Sequence, residues 1–130
     1  MTVSEPGPLT QQVLRYQETM KQLVPTVRAP DDWAPLASLV DVDDFERVGT
    51  AMEVQDWREY SELLTGWAGH VDSFETTVHR ISELSDVVYF AVEERHVGNR
   101  GVTTVNSLSV FEFNSDRKIR RLSVYLQQAR

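Results

Sequence analysis

The spacing of hydrophobic residues changes near residue 73, from a helical repeat before it to alternation after it. Across residues 9–24, apolar side chains such as Val13, Tyr16 and Met20 recur every three or four positions. That spacing places them together on one face of a helix. The pattern therefore predicts a first helix that buries one face.

Two further helices are expected before the pattern changes. Pro25 ends the first helix because proline lacks an amide hydrogen, and Asp31 and Asp32 are good N-cap residues for a short second helix. Thr50 and Glu53 have the spacing of a capping box that opens a third helix. The apolar stripe of the third helix comprises Val54, Trp57, Tyr60 or Ser61, Leu64 and Trp67.

Four β-rich runs follow, and the connections between them are short and rich in turn-forming residues. The runs span residues 74–84, 87–97, 102–113 and 119–127, and a further short strand is expected within residues 41–49. Short hairpin connections favour an antiparallel meander. The predicted fold is α+β, with three N-terminal helices packed on a curved antiparallel β-sheet that forms a cone, a cystatin-like roll.

We expect one domain over residues 9–130, preceded by a flexible lead of residues 1–8. In the strand at 87–97, apolar residues occupy both alternating sets of positions, so both faces of the sheet are apolar there. The helices can cover only one face. A homodimer through the other face of the sheet is therefore expected.

Composition narrows the possible partners. The 130 residues carry a formal net charge of -7, which gives nucleic acid no electrostatic attraction. No apolar run approaches the roughly 20 residues of a membrane span. The chain has no cysteine and shows no secretory signal, so a cytoplasmic location is expected. The acidic residues at 41–46 and the three histidines lack the spacing of metal sites, so no metal is expected.

Several short segments carry a family likeness that covers roughly residues 9–127. They are Asp32-Trp33 with Leu36 and Leu39, residues 45–49, Thr77-x-His79-x-Ile81, Phe111-Glu112-Phe113, Lys118-Ile119 and residues 124–127. Their order resembles the nuclear-transport-factor-2-like superfamily, in particular its SnoaL-like and ketosteroid-isomerase-like branches. The resemblance implies a cone whose open end admits a small, usually apolar ligand. Members include isomerases, polyketide cyclases, dehydratases, epoxide hydrolases and non-catalytic binding domains.

The resemblance assigns some positions and leaves others without the usual catalytic group. Tyr16 matches the oxyanion-hole tyrosine of ketosteroid isomerases, whereas Ser109 stands in place of its aspartate partner and Val48 in place of the aspartate base. SnoaL-like cyclases often end their last strand in Tyr-x-Asp. This chain has Tyr125-Leu126-Gln127, and an amide cannot take a proton at neutral pH.

His79 is the predicted acid or base. Thr77-x-His79-x-Ile81 is similar to a scytalone-dehydratase-like pattern in which the histidine faces the cavity, and imidazole titrates near neutrality. The second histidine of that pattern would fall near Val97, so His96 is expected to point to the opposite face. His79 and Tyr16 are thus the predicted catalytic residues.

The remaining predicted site residues are those expected to line the cone and contact a small hydrophobic ligand. They are Trp33, Val48, Trp57, Trp67, Tyr89, Ser107, Ser109 and Leu126. Three functions stay open. The first is a cofactor-independent acid–base enzyme that isomerises, cyclises or dehydrates a small hydrophobic molecule. The others are a non-catalytic binding protein with the same cavity and a dimerisation or scaffolding module.

Overall fold

The fold is described from a computed structural model of the chain, for residues 7–99 and 101–128. Most of the predicted lead, residues 1–6, lies outside the described residues, as do residue 100, in the connection between the second and third β-rich runs, and residues 129–130 of the predicted domain. Of the described helices, none is long and apolar enough to cross a membrane.

The helices lie in the first half of the chain, as predicted. The first, α1, spans Pro8–Leu23 and buries the predicted stripe, including Val13, Tyr16 and Met20. A 3-10 turn, Pro30–Trp33, leads into the short helix α2, Ala34–Ala37. The Asp32 carboxylate stabilises the start of this segment, because it accepts hydrogen bonds from the backbone N–H groups of residues 28 and 29, at 2.9 and 3.0 Å.

The third helix, α3, is Trp57–Ala68 and begins later than the predicted capping box. Asp56 and Glu59 form the capping box instead: the Asp56 carboxylate accepts from the Glu59 N–H at 2.8 Å, and the Glu59 carboxylate accepts from the Asp56 N–H at 3.1 Å. Residues 49–53 form a tight turn, because the Gly49 N–H donates to the Glu53 carbonyl at 2.9 Å.

Within the described residues, six strands form one sheet. They are β1 Glu46–Val48, β2 Val54–Gln55, β3 Ser73–Leu84, β4 Val87–Gly98, β5 Gly101–Phe113 and β6 Ile119–Gln128, in the order β2-β1-β6-β5-β4-β3. The last four strands form the predicted antiparallel meander. The prediction of a purely antiparallel sheet was wrong, because β1 pairs in parallel with β6 and makes the sheet mixed. The tight turn then returns β2 antiparallel to β1 at the edge.

The helices cover one face of this sheet, which we call the inner face. On β4 the even-numbered residues Val88, Phe90 and Val92 are buried there, at 0–2% exposure. The odd-numbered positions lie on the outer face, where Tyr89 is 42% exposed. The core therefore lies between α1, α3 and the inner face, and the site described next occupies one end of it.

Candidate functional site

A cavity of about 410 Å³ lies between α1, α3, β1 and the inner face of β4–β6. Its apolar wall comprises Met20, Leu63, Leu64, Trp67, Val105, Phe111, Leu122, Val124 and Leu126. Leu63, Thr103 and Gln128 also line the cavity and are exposed, so they mark where it reaches the surface. An apolar wall with few polar groups is typical of small-molecule sites.

Two tyrosine hydroxyls meet in the buried part of this cavity. Tyr16 on α1 and Tyr60 on α3 are 2% and 6% exposed, and their hydroxyl oxygens lie 3.1 Å apart. The two rings are held by aromatic neighbours: Phe111 is edge-on to Tyr16 at 5.5 Å, and Phe45 stacks on Tyr60 at 5.7 Å between ring centroids. This packing fixes both hydroxyl groups against the cavity.

Burial raises the pKa of both hydroxyls, because it disfavours the phenolate. The pKa of Tyr16 lies well above its usual range, raised further by Tyr60, its hydrogen-bond partner. The Arg47 guanidinium lowers the pKa of both tyrosines and the Glu94 carboxylate raises it, but burial dominates. The pair is therefore neutral near pH 7, and Arg47 and Glu94 are close enough to act on it.

Arg47 on β1 brings a positive charge to the cavity. Its Nη1 donates to the Gln55 side-chain oxygen at 3.0 Å and lies 3.5 Å from the Glu53 carboxylate. Its Cζ stands over the Tyr60 ring, 5.3 Å from the centroid. Gly49 makes room for this arrangement, since a Cβ there would collide with Glu53 and come within 2.9 Å of Arg47 Nη1.

Glu94 and His96 form a second polar pair, on the inner face of β4. Glu94 Oε1 lies 3.2 Å from His96 Nε2, and the side chains are 23% and 21% exposed. The imidazole ring packs edge-on against Trp67 and Phe74, with centroids 5.5 and 6.2 Å apart. A carboxylate hydrogen-bonded to one ring nitrogen orients an imidazole and leaves the other nitrogen to exchange a proton.

Five of the predicted site residues line this cavity: Tyr16, Trp67, Ser107, Ser109 and Leu126. The two serine hydroxyls lie 3.3 Å apart. Position 109, where the resemblance places an aspartate, thus adds a neutral hydroxyl near the wall. Nothing in the cavity lining supplies a carboxyl group other than Glu94 among the described residues.

Four predicted lining residues lie elsewhere. Trp33 is fully buried in the core, where its indole N–H donates to the Thr65 hydroxyl at 3.0 Å. Trp57 packs edge-on against Phe45 and borders a separate groove next to α2. Val48 and Tyr89 do not line the cavity, because each pairs with a residue of the outer face, Ser123 and Val110.

His79 and His96 each lie on the face of the sheet opposite to the one expected. His96 pairs with the buried Phe74 on the inner face, whereas His79 is exposed and borders an outer-face groove with Leu108 and Tyr125. The register of β3 shifts between Val78 and Arg80, so His79 occupies a bulge. His79 therefore does not reach the cavity, and the expectation that His96 points away from it was wrong.

The site residues missed from the sequence are Arg47, Tyr60, Glu94 and His96. For three of them a signal was present. Tyr60 belongs to the apolar stripe predicted for the third helix, and in β4 Glu94 and His96 continue the even-numbered set that contains Val88 and Phe90. Because odd-numbered residues of β4 are apolar as well, the alternation alone did not show which set lies on the inner face.

No family model matches the chain. Uncharacterised proteins of Mycobacterium bovis and Mycobacterium tuberculosis are 39% identical over 79 residues, covering 57% of this chain. The chain spans about 15% of the length of these curated relatives.

Solved structures match over nearly the whole chain. A Shewanella denitrificans protein described as a SnoaL-like polyketide cyclase has a TM-score of 0.78 at 11% identity, covering 94% of this chain and 92% of that one. An NTF2-like protein of Anabaena variabilis has a TM-score of 0.77 at 12% identity, covering 99% and 96%.

A third solved structure contains a small ligand. It is a Catenulispora acidiphila protein of ketosteroid-isomerase-like fold in complex with trimethylamine, with a TM-score of 0.64 at 11% identity, covering 85% of this chain and 83% of that one. At these identities the matches establish the fold and not an activity. The chain has the α+β fold of the nuclear-transport-factor-2-like superfamily, which the SnoaL-like and ketosteroid-isomerase-like proteins share.

Proposed function

We propose that the chain binds a small, mostly apolar molecule in the cavity and acts on it as a cofactor-independent acid–base enzyme. The observation that carries this proposal is the placing of two polar pairs, Tyr16–Tyr60 and Glu94–His96, in one apolar cavity. An apolar wall holds the ligand and excludes water, and each polar pair then supplies one half of a proton transfer.

His96 is the proposed base. With its hydrogen on Nε2 donated to Glu94 Oε1, the imidazole keeps its lone pair on Nδ1. A proton leaving a carbon next to a carbonyl passes to that nitrogen, and the electron pair moves to the carbonyl oxygen. The Glu94 carboxylate stabilises the imidazolium that forms.

The tyrosine pair is the proposed donor to that oxygen. Only one of its two hydrogens is used between Tyr16 and Tyr60, so the other O–H can donate into the cavity. Because burial raises the pKa of both hydroxyls, the donor stays protonated at neutral pH. The isomerisation of an unsaturated ketone, ring closure by aldol addition and elimination of a β-hydroxyl group each have a route through such an enolate, so this arrangement serves each of them.

The experiment uses 5-nitrobenzisoxazole, a probe that reports a base in an apolar pocket. Its C–H proton passes to the base, its N–O bond breaks, and the negative charge appears on a coloured phenolate. We expect the wild-type chain to accelerate this elimination above free imidazole. His96→Ala should lower the rate roughly a hundredfold, because general-base catalysis contributes on that order.

His79→Ala is the matched control, since it removes an imidazole from the outer face of the same sheet. We expect His79→Ala to keep the wild-type rate. Equal losses in the two variants would contradict the assignment of the base to His96. Loss in His79→Ala alone would also contradict it and would restore the prediction made from the sequence.

A non-catalytic binding protein is the second candidate. It is favoured by Ser109 and Gln127, which stand where the resemblance implies aspartates. In that case apolar probes would bind the cavity and quench Trp67 fluorescence, but no variant would change the rate of the elimination. A cytoplasmic location, suggested by the absence of cysteine, fits either candidate.

We also propose that the chain forms a homodimer through the outer face of the sheet. Tyr89, Leu108 and Tyr125 lie on adjoining strands of that face and are 42%, 39% and 59% exposed. A second copy would cover this apolar centre and the groove beside it. The cystatin-like curvature predicted for the sheet would shape this interface.

A further inference from the structure

Arg47 carries a buried N–H group without a partner. Its Nε has no hydrogen-bond acceptor among the described residues, although the atom is out of contact with solvent. A buried donor left unpaired is destabilising, so such groups are uncommon outside functional sites. The side chain lines the cavity and is 14% exposed. The guanidinium that carries this N–H is therefore part of the cavity wall, although the Nε atom itself is closed to solvent.

The rest of the guanidinium is fixed in place. Nη1 is engaged by Gln55 and Glu53, and the Tyr60 ring lies beneath Cζ at 5.3 Å. An arginine held on one side presents its remaining N–H groups in a rigid plane, which suits the geometry of a carboxylate. Arg47 is thus preorganised to bind an acceptor through the guanidinium N–H groups that Gln55 and Glu53 do not engage.

The charge of Arg47 is only partly balanced. Its contact with Glu53 is long, at 3.5 Å, and the Glu53 side chain is 43% exposed, so water weakens that attraction. The carboxylate that lines the cavity, Glu94, is engaged with His96. An anionic group on the ligand would therefore be held more strongly at Arg47 than a neutral carbonyl of the same shape.

We propose that the molecule bound in the cavity is a small apolar carboxylic acid, whose carboxylate accepts hydrogen bonds from the Arg47 guanidinium. This inference rests on the proposed function and adds the class of substrate. The tyrosine pair remains available for the second oxygen of the ligand, at which charge develops. The substrate would then be an oxo acid with an apolar body, held by its carboxylate and reacting at its carbonyl.

The test compares two probes of the same shape, 4-phenylbutanoate and 4-phenylbutanamide, by calorimetry on the whole chain. We expect the wild type to bind the acid about tenfold more tightly than the amide, because hydrogen bonds to charged groups are roughly twice as strong as neutral ones. In Arg47→Met the preference should disappear while the amide still binds. Arg47→Lys keeps the charge but lacks the planar guanidinium, and should keep only part of the preference.

Arg95→Met is the matched control. Arg95 lies on the outer face, is 51% exposed and is 3.9 Å from Glu75, so its loss removes the same charge away from the cavity. The acid-to-amide ratio should be unchanged in this variant. A ratio that fell equally in Arg95→Met would show a general charge effect and overturn the inference.

The outcomes separate this inference from the proposed function. Equal binding of acid and amide by the wild type, or a preference that survives in Arg47→Met, would overturn the carboxylate inference and leave the cavity function standing. Binding of neither probe would overturn both. The wild-type ratio decides the first point even if Arg47→Met does not fold.

Discussion

Tyr16 and Tyr60 illustrate how burial sets the chemistry of single residues in this cavity. Both hydroxyls are almost completely removed from solvent, and each is the other's hydrogen-bond partner at 3.1 Å. Removing one hydroxyl leaves the other buried without that partner. The pair therefore links the stability of the fold to the protonation state of the site.

We predict that the free energy of unfolding falls as the pH rises above about 10. In the folded chain the raised pKa values keep both tyrosines neutral, whereas in the unfolded chain they ionise near pH 10. The unfolded state then binds fewer protons, so stability is lost with rising pH, and below that range these groups contribute no pH dependence. Urea unfolding at a series of pH values measures the slope.

The variant that isolates this effect is the double substitution Tyr16→Phe and Tyr60→Phe. It removes both titrating groups while keeping the aromatic packing, so its alkaline loss of stability should be smaller. Tyr16→Phe alone should lower the free energy of unfolding by about 1 kcal/mol at neutral pH, because it leaves Tyr60 unpaired. An alkaline slope equal to that of the wild type in the double variant would contradict the burial argument.

The sequence was informative for Tyr16 and uninformative for Arg47, for a physical reason. Tyr16 belongs to a helical repeat whose buried face is visible within one segment. Arg47 lies in a three-residue strand, and its facing depends on parallel pairing with Leu122 of β6, far along the chain. No local period encodes that register, so the positive charge of the cavity appears only in the folded chain.

At the level of elements, the start of α1 depends on a residue of the sheet. Its first turn contains no acidic residue, and its N-cap, Gly7, has no side chain to satisfy the free N–H groups. Glu83 of β3 supplies the acceptor: its Oε1 accepts from the Thr10 N–H at 2.7 Å and from the Thr10 hydroxyl at 2.9 Å. A Cβ on Gly7 would come 2.5 Å from that oxygen, so glycine makes room for it.

We predict that Glu83→Ala lowers the free energy of unfolding by about 1 kcal/mol, the usual effect of losing a helix cap. Glu75→Ala is the control on the same strand, because Glu75 is 77% exposed and its contact with Arg95 is long, at 3.9 Å. Chemical denaturation followed by circular dichroism gives both values. Equal effects of the two substitutions would show that the Glu83–Thr10 contact does not stabilise α1.

The same strand explains why the histidines were assigned to the wrong faces. Alternation predicts the facing of a strand residue only while the ladder stays regular. In β3 the register shifts between Val78 and Arg80, which places His79 at the irregular position. The strand boundaries were predictable from the turn-forming connections, but a bulge is decided by pairing with β4 and has no signature in this sequence.

At the scale of the whole molecule, the main feature is that the helices cover one face of the sheet and leave the other face exposed. The inner face is covered by α1 and α3, while the outer face presents apolar residues around Leu108. Charged pairs flank that centre at opposite ends: Arg95 with Glu75 at 3.9 Å and Arg121 with Glu112 at 3.6 Å. An apolar centre with a polar rim is the usual anatomy of a protein interface.

We predict that the wild-type chain sediments as a dimer at micromolar concentration and that Leu108→Arg sediments as a monomer. The substitution places a charge at the centre of the proposed interface, where both copies of it would be buried against each other. Leu14→Arg is the matched control, because Leu14 and Leu108 are both 39% exposed and Leu14 lies on α1. That variant should remain a dimer.

A monomeric wild type would mean that the outer face is exposed in solution, and dissociation of both variants would place the contact elsewhere. Because the cavity opens on the inner side of the sheet, Leu108→Arg should also retain probe binding, which separates assembly from the site.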